Sequence, residues 1–481
     1  MKNLRYDVLV IGGGVIGGTI LRKLSQYNLS VCLVEKENDV CMGQSRANSG
    51  IVHAGFDAAE GSLKAKFNVL GNRMMPALAG ELGVKYRNNT SLVVAFSEEE
   101  LEILQKLQKR GVANGIAAED LPILTREELL ALEPYIHPAA KGALLAKTGG
   151  IICPYELTIA AIGNAMDNGA KLYTDFAVCA ICKTEGGYTV TAEDGRSLQA
   201  SVVINCAGLA SGKIAALVGD DIPVHGRKGD YILLDRQAHY LTDRTLFFTP
   251  TAKGKGILVS STVDNNIILG PTATEVESDV PETTAADLAH VMQKAKEMCP
   301  NVPLGAAITS FAGIRAYNER HDFIIEESQT AKGVFHLAGI ESPGLTSAPA
   351  IAEYVAEELV ARYLPLVKKE NFRPERQADS FFRNLTTEEK NAVIQKDPAY
   401  GRMVCRCERI TEGEIRHAVR TNPPATNVDA VKRRTRAGMG RCQGGFCQSR
   451  VTEILAEELG IPMEKVTKSG GNSVLLVGKI K

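Results

Sequence analysis

The chain has 481 residues, of which 44% are hydrophobic and 23% are charged, a composition typical of a soluble globular protein with two or three domains. A formal net charge of −1 excludes recognition of nucleic acid or acidic lipid through overall charge. We find neither an export signal nor an apolar stretch long enough to span a membrane, so we expect a cytoplasmic protein without a transmembrane segment. Eleven cysteines in such a chain indicate thiols and metal ligands rather than disulfides.

Three glycines near the N-terminus lie at a predicted strand-to-helix turn. Gly12, Gly14 and Gly17 form a G-x-G-x-x-G motif after the apolar strand 8–11. The first glycine permits a tight turn, the second lets a pyrophosphate approach the backbone, and the third lets helix and strand pack closely. Glu35 ends a second apolar strand, where its carboxylate can accept hydrogen bonds from ribose hydroxyls. The motif predicts a bound dinucleotide and leaves open whether it is NAD or FAD.

A run of small and polar residues, 41–56, follows where an NAD enzyme would have its next strand. Its composition predicts a loop that lies against a large ligand and carries His53 near its end. The segment Asn48-Ser-Gly-Ile-Val-His-Ala-Gly-Phe56 resembles the FAD-dependent glycerol-3-phosphate dehydrogenases and oxidases, with the related L-2-hydroxyglutarate oxidases. The resemblance extends to about residue 362 and implies that the dinucleotide is FAD.

The middle of the chain is predicted to combine covering helices with further strands. Residues 62–145 are predicted to be mostly helical, because two capping boxes open apolar-periodic helices. The apolar run 202–208 resembles the second FAD-contacting strand of the family, and strand signals over 225–320 predict a sheet packed over the flavin. The segment 334–347 predicts a strand, a glycine turn and a helix start. In the family this helix N-terminus stabilises the negative charge of reduced flavin.

Cys179 and Cys182 form a C-x-x-C pattern inside a predicted strand. Residues three apart on a strand face opposite sides of the sheet, so these two thiols cannot readily meet. We therefore predict buried packing for this pair rather than a redox role.

The resemblance also implies which residues contact the flavin. Besides Gly12, Gly14, Gly17 and Glu35, the expected FAD-binding residues are Lys36, Ser45, Asn48, Ser49, Val178, Ala207, Gly208, Gly339, Gly344, Leu345 and Thr346.

Four residues are expected to act on the substrate. Oxidation of a hydroxyl group needs a base for its proton, and His53 is the candidate because imidazole titrates near neutral pH. The resemblance makes Arg315, with its fork of donors, the clamp for an anionic group of the substrate, and Lys255 a second cation. Ser342 can donate to substrate or flavin. A packing histidine, a surface ion pair for Arg315 and a structural turn serine are the alternative interpretations.

Four cysteines near the C-terminus, Cys405, Cys407, Cys442 and Cys447, form two close pairs. Four thiolates with neighbouring arginines and backbone N–H donors are what a [2Fe-2S] cluster requires. Structural zinc is the alternative, although the single residue between Cys405 and Cys407 fits its usual ligand spacing poorly. The module resembles the bacterioferritin-associated-ferredoxin-like [2Fe-2S] domain at the end of some anaerobic glycerol-3-phosphate dehydrogenases. The basic run 432–436 is expected to be a solvated face or a docking patch for an acidic electron partner.

These segments predict an α/β protein whose FAD-binding, Rossmann-like domain is interleaved with a mixed-sheet substrate domain and followed by a small, mainly helical [2Fe-2S] domain. The predicted FAD-binding domain comprises 1–75, 146–224 and 325–362, and the substrate or cap domain comprises 76–145 and 225–324. A linker or arm at 363–400 leads to the [2Fe-2S] domain at 401–465 and a tail at 466–481. Because the linker is polar, the flavin domain is expected to fold without the cluster domain.

The leading functional hypothesis is FAD-dependent oxidation of sn-glycerol 3-phosphate to dihydroxyacetone phosphate, with electrons passed from flavin to the cluster and on to a partner protein. L-2-hydroxyglutarate, or another 2-hydroxy acid, is the alternative substrate, because two cations suit a phosphate or a dicarboxylate. A non-catalytic electron-transfer flavoprotein subunit is the alternative of another class. Any association with a membrane would be peripheral and would run through the partner.

Overall fold

A computed structural model describes residues 4–250, 256–376 and 382–478, so Lys255, one of the predicted substrate cations, lies outside the described residues. The helices are α1 (Val15–Leu24), α2 (Leu63–Leu82), α3 (Glu98–Ala113), α4 (Arg126–Leu132), α5 (Pro154–Asp167), α6 (Ser211–Ala216), α7 (Ala285–Met298), α8 (Gly344–Tyr354), α9 (Thr387–Lys396), α10 (Glu412–Arg420), α11 (Val428–Thr435) and α12 (Gln448–Leu459). Within the described ranges, none of them combines the length and the apolar character needed to cross a bilayer.

The strands complete the inventory of regular structure. They are β1 (Arg5–Ile11), β2 (Val31–Val34), β3 (Ile51–Val52), β4 (Tyr86–Arg87), β5 (Ser91–Ala95), β6 (Ile123–Thr125), β7 (Gly142–Ala146), β8 (Gly150–Ile152), β9 (Lys171–Tyr173), β10 (Val178–Thr184), β11 (Gly187–Ala192), β12 (Ser197–Asn205), β13 (His225–Leu234), β14 (Thr245–Phe248), β15 (Leu258–Ser261), β16 (Ile267–Gly270), β17 (Thr274–Val276), β18 (Ala307–Tyr317), β19 (Ile324–Glu327), β20 (Val334–Ala338), β21 (Met403–Cys405) and β22 (Ile410–Thr411).

The first sheet has a parallel centre in the order β9-β2-β1-β12-β20, with β10, β11 and β19 added antiparallel. Alternate residues of β1 face opposite layers: Val8 and Val10 join the core under α1, α5 and α8, whereas Leu9 and Ile11 join the core under α6. A strand buried on both faces needs a continuous apolar run, which is what the first strands provide. The predicted α/β class is confirmed.

The second sheet runs β17-β13-β16-β15-β14-β5-β7-β6, with β18 paired along the length of β13. Helices α3, α4 and α7 pack on it. The prediction that 62–145 is mostly helical is wrong for β5 and β7, which lie inside this sheet. Ser91–Ala95 is completely buried, and a five-residue apolar run has no periodicity that distinguishes a buried strand from a helix segment.

The C-x-x-C pattern lies on β10, an outer strand of the first sheet. Cys179 and Cys182 are both exposed, so the prediction that they are buried is wrong. An edge strand presents part of its surface to water, and the alternation expected for a half-buried strand is interrupted here by a bulge after Val178.

The C-terminal module, residues 403–466, combines the β21–β22 hairpin with α10, α11 and α12 around an apolar core of its own. Ile415, Val431 and Ile454, one from each helix, are fully buried in that core. The sequence predicts helices over 412–420 and 448–459, on either side of the second cysteine pair's loop, and α10 and α12 have these bounds.

The basic run 432–436 lies at the junction between this module and the rest of the chain. Arg433 and Arg434 form ion pairs with the buried Asp39 of the first sheet's loop, at 2.5 and 2.7 Å. Both arginines are at most 6% exposed. The prediction of a solvated face or an electron-partner patch at this run is therefore wrong, because its arginines neutralise carboxylates inside the molecule.

The segment leading to the module lies along the first sheet's helical layer. The backbone N–H of Asn28 donates to Val367 O at 2.7 Å, and Arg376 N donates to Glu81 O at 2.8 Å. Within 382–400, α9 forms with a capping box at Thr386 and Glu389. This arrangement and the buried ion pairs tie the cysteine module closely to the flavin-binding part of the chain, rather than leaving it apart on a polar linker.

Candidate active site and cysteine site

A cavity of about 1680 Å³ lies between the two large sheets. It opens at the carboxyl ends of β1, β2 and β12, the edge at which open α/β sheets bind ligands. Its opposite wall comes from β13, β14 and β18. Ligand pockets for small molecules usually hold roughly 300–1,000 Å³, so this cavity has room for a dinucleotide together with a substrate.

The glycine motif has the geometry that a pyrophosphate site needs. Gly12 has φ +109°, and a Cβ there would lie 2.4 Å from Cys206 O. A Cβ on Gly17 would lie 2.1 Å from Gly12 O, so only glycine allows α1 to pack this closely against the turn. A Cβ on Gly14 would meet only Ser45 Oγ, at 3.1 Å, which leaves this turn open toward the cavity. The chain therefore offers backbone N–H groups at the N-terminus of α1 to an anion.

Glu35 stands at the end of β2, facing the same cavity. Its carboxylate accepts hydrogen bonds from Gly13 N at 2.6 Å and Glu37 N at 3.0 Å. Burial raises the pKa of Glu35, while these two N–H donors act against that rise. Lys36 beside it is an exposed lysine that pairs with Glu37 at 3.6 Å. The Glu35 carboxylate is therefore fixed at the edge of the cavity, where it is predicted to bind the ribose of a dinucleotide.

His53 is fixed by its backbone on both sides. Its N–H donates to Thr346 Oγ1 at 2.9 Å, and its carbonyl accepts from Asn68 Nδ2 at 2.7 Å and Asn72 Nδ2 at 3.1 Å. The imidazole lines the cavity, where Nε2 lies 3.2 Å from Ser342 Oγ. The ring is thus held where the two large sheets face each other, and it can reach a hydroxyl group of a ligand bound in the cavity.

Arg315 projects from β18 into the same cavity. Its Nη2 donates to Thr272 O at 2.7 Å and its Nε to Arg227 O at 3.4 Å. Both partners are neutral carbonyls, and within the described ranges no carboxylate forms an ion pair with this guanidinium. A positive charge oriented by carbonyls and left without a counter-ion is suited to hold an anionic ligand.

The cavity brings most of the predicted residues together. Its lining includes Gly12, Gly14, Glu35, Lys36, Ser45, Asn48, Ser49, His53, Ala207, Gly208, Arg315, Ser342, Gly344 and Leu345. The other predicted residues within the described ranges do not line the cavity: Gly17 packs on Gly12, Thr346 holds His53, Gly339 packs on Asn318, and Val178 lies on β10. The assignment of individual residues to FAD or substrate stays a prediction.

Several lining residues are absent from the predicted set. Arg227 and Tyr231 reach the cavity from β13, and Phe247 from β14, where its ring centroid is 6.0 Å from that of His53. Alternation along β13 places residues 227, 229 and 231 on one face. That period-two pattern is the signal from which Arg227 and Tyr231 could have been found, once one residue of the strand was known to face the ligand.

The four C-terminal cysteines also come together. Cys405 and Cys447 are buried and share a hydrogen bond, which lowers the pKa of Cys405 to about 6 and raises that of Cys447. Cys407 Sγ lies 3.5 Å from Cys442 Sγ, with Cys407 exposed and Cys442 half-buried. Backbone N–H groups of Gly438 and Glu408 donate to Cys405, and those of Phe446 and Gly444 donate to Cys442. The site therefore has an inner thiol pair and an outer thiol pair.

Two thiol pairs with N–H donors fit a [2Fe-2S] cluster, in which each iron takes two cysteines. Mononuclear zinc needs four ligands around one ion. The paired arrangement thus favours the cluster over zinc.

Comparison with known families agrees with this architecture. The FAD dependent oxidoreductase family model matches residues 7–358, and the BFD-like [2Fe-2S] binding domain model matches residues 403–457. The chain belongs to the FAD dependent oxidoreductase family. Its cofactors are FAD and, in the C-terminal module, a [2Fe-2S] cluster.

Individual relatives place it more closely. The chain is 46% identical to a glycerol 3-phosphate dehydrogenase of Caloramator mitchellensis, over 99% of each protein. It is similar to the structure of dithionite-reduced L-alpha-glycerophosphate oxidase from Mycoplasma pneumoniae with FAD bound, with TM-score 0.74, 33% identity and coverage of 77% of this chain and 98% of that one. An Escherichia coli L-2-hydroxyglutarate dehydrogenase is 29% identical over 56% of this chain and 64% of its own. The family resemblance predicted from residues 48–56 is confirmed.

Proposed function

We propose that the protein oxidises sn-glycerol 3-phosphate to dihydroxyacetone phosphate and passes the electrons through its [2Fe-2S] cluster to a partner protein. The observation that carries the proposal is Arg315, a cation without a carboxylate partner within the described ranges, facing the same cavity as His53. A phosphate dianion supplies the missing counter-charge. The similarity of nearly the whole chain to a glycerol 3-phosphate dehydrogenase supports the same substrate.

The residues of this chain have separate tasks in that reaction. Arg315 binds the phosphate of the substrate and orients its secondary hydroxyl toward His53. His53 Nε2 takes the hydroxyl proton once the substrate hydroxyl replaces Ser342 Oγ, which lies 3.2 Å from Nε2, as its hydrogen-bond partner. FAD, when bound, supplies the hydride acceptor. Gly14, Glu35 and the N-terminus of α1 are the groups that would hold its pyrophosphate and ribose.

The cysteine module supplies the second half of the proposal. Cys405, Cys407, Cys442 and Cys447 are the proposed ligands, and the backbone N–H groups that donate to Cys405 and Cys442 offset the negative charge of the thiolates. Substrate oxidation releases two electrons at once, whereas such a cluster carries one at a time. Two one-electron transfers to a partner therefore complete each turnover.

An anaerobic titration tests the substrate. Glycerol 3-phosphate should bleach the flavin absorbance, whereas glycerol, which lacks the anion, should not bleach it at equal concentration. L-2-hydroxyglutarate is the second candidate, because of the relative that acts on it. Faster bleaching by L-2-hydroxyglutarate would assign the alternative substrate, and no bleaching by either compound would overturn the proposal of an enzyme acting on them.

A further inference from the structure

The loop between the last two cysteines carries an unusual side chain. Phe446 is 89% exposed, the most exposed aromatic side chain of the described residues, although its neighbour Cys447 is buried. Its backbone is not free, because Phe446 N–H donates to the Cys442 thiol. The loop is therefore fixed with its aromatic ring in water, and Met403, two residues before Cys405 in the chain, is a second exposed apolar side chain of the module. Contact with another molecule would remove this apolar surface from water.

The charges next to the first two cysteines of the module are also distinctive. Arg406 and Arg409 are exposed, and neither forms an ion pair or a side-chain hydrogen bond within the described ranges. The other arginines of the module are paired: Arg416 and Arg450 bind Glu412, Arg420 binds Glu458, Arg441 binds Asp235, and Arg433, Arg434 and Arg436 bind buried carboxylates. Positive charge without a counter-ion is thus concentrated next to the cysteines.

Covalent geometry keeps these groups together. Arg406 joins Cys405 to Cys407, and Phe446 precedes Cys447, whose thiol shares a hydrogen bond with that of Cys405. Consecutive Cα atoms are about 3.8 Å apart, so Phe446 and Arg406 flank one thiol pair. The outer pair, Cys407 and Cys442, reaches solvent on the same module.

We propose that Phe446, Met403, Arg406 and Arg409 form the docking face for a small acidic protein that carries one electron. The inference rests on the electron transfer through the cluster proposed above. It names the surface from which electrons pass to the partner protein. An aromatic anchor surrounded by arginines is typical of interface hot spots, and charge complementarity raises the association rate of transient complexes. Such encounters bury less than about 1,200 Å², so a docking face built from a few exposed side chains suffices.

The electron balance is simple. Each docked carrier in its oxidised state takes one electron and leaves reduced, so two carriers are consumed for each hydroxyl group oxidised. The hydroxyl proton of the substrate goes to solvent through His53, and the hydrogen that leaves carbon as hydride reaches solvent as a proton when its two electrons pass to the carriers. No bond is formed between the two proteins.

The test uses the full-length holoenzyme, anaerobically, with glycerol 3-phosphate as reductant. The probes are the soluble domain of cytochrome b5, an acidic one-electron haem protein, and the basic haem protein cytochrome c. We expect cytochrome b5 to be reduced faster at low ionic strength, with a rate that falls as salt is added. The variants Phe446→Ala and Arg406→Glu/Arg409→Glu should lower kcat/KM for cytochrome b5 by about tenfold or more, because steered association exceeds unsteered association by larger factors.

Controls separate docking from other effects. Arg362→Glu reverses the charge of one exposed arginine outside the module, and Val112→Ala truncates an exposed apolar side chain on α3; both should leave reduction of cytochrome b5 unchanged. Flavin bleaching by substrate and the iron content should stay at wild-type values in the docking variants.

Equal rates in variants and wild type, or a preference for cytochrome c, would overturn the docking face. A dimer in sedimentation that Phe446→Ala dissociates would also overturn it, because a second copy would then cover the face. Absence of bleaching in the wild type is a different result, which overturns the proposed function.

Discussion

Arg436 donates a hydrogen bond through Nη1 to Asp264 Oδ2 at 2.7 Å, and through Nε to Glu408 Oε2 at 2.8 Å. All three side chains are buried. Asp264 belongs to the second sheet's β15–β16 turn, and Glu408 directly follows Cys407, so Arg436 fastens the cysteine hairpin to the second sheet. Neighbouring cations hold the pKa of Asp264 well below its usual value, although burial alone would raise it.

Replacing Arg436 should loosen this junction. Arg436→Met leaves Asp264 and Glu408 buried with fewer cations, and removal of one partner from a buried ion network costs about 3–5 kcal/mol. The free energy of unfolding, measured by denaturant titration, should fall by that amount. Lys294→Met, which removes an exposed pair with Glu297, is the control and should cost about 0–1 kcal/mol. Equal losses in the two variants would contradict the role of the junction.

The glycine motif predicts different outcomes for two substitutions by alanine. At Gly14 the new Cβ meets only Ser45 Oγ, so Gly14→Ala should fold and bind FAD more weakly. At Gly17 the new Cβ would overlap Gly12 O, so Gly17→Ala should lower both FAD content and the unfolding temperature. Flavin content after reconstitution and calorimetry of the protein without flavin distinguish the two. The prediction is wrong if both variants lose stability equally.

Removal of the proposed base should slow turnover without releasing FAD. His53→Ala is expected to lose about 10²- to 10⁴-fold in the rate of flavin bleaching, the usual contribution of one positioned proton acceptor. His239→Ala, whose ring pairs with Asp243, serves as the control and should keep the wild-type rate. An unchanged rate in His53→Ala would return His53 to a packing role.

Arg315 should act mainly on substrate affinity. Arg315→Ala removes a charged hydrogen-bond donor worth about 1.5–3 kcal/mol, so KM for glycerol 3-phosphate should rise by roughly 10- to 150-fold. Arg320→Ala, which breaks an exposed pair with Glu326, should leave KM unchanged. A fall in kcat alone would argue against an anion clamp.

The cluster ligands can be tested by a matched pair of cysteine variants. Cys442→Ser should abolish the reduced-cluster signal in electron paramagnetic resonance, while substrate still bleaches the flavin. Cys179→Ser, at an exposed cysteine of β10, should keep both signals. Zinc without iron in protein made anaerobically would contradict the relay.

The sequence predicted those features that depend on short-range rules. The turn at Gly12, the second strand and helices α10 and α12 follow from local patterns of glycine, apolar residues and caps. The partners of Arg436 could not be predicted, because Asp264 lies 172 positions earlier and only the fold brings the two together. For the same reason the basic run 432–436, expected at the surface, is buried in the structure, where its arginines pair with distant carboxylates.

The hydrogen bond from His53 N to Thr346 Oγ1 joins residues 293 positions apart. A ribosome that has synthesised the first 300 residues has made the glycine motif and His53, but not the threonine that holds His53 in place. The catalytic cavity is therefore completed late in translation, and the arginines that neutralise Asp39 emerge later still. Until they do, the nascent chain must keep that carboxylate in contact with water, so closure of this side of the molecule waits for the last part of the chain to be made.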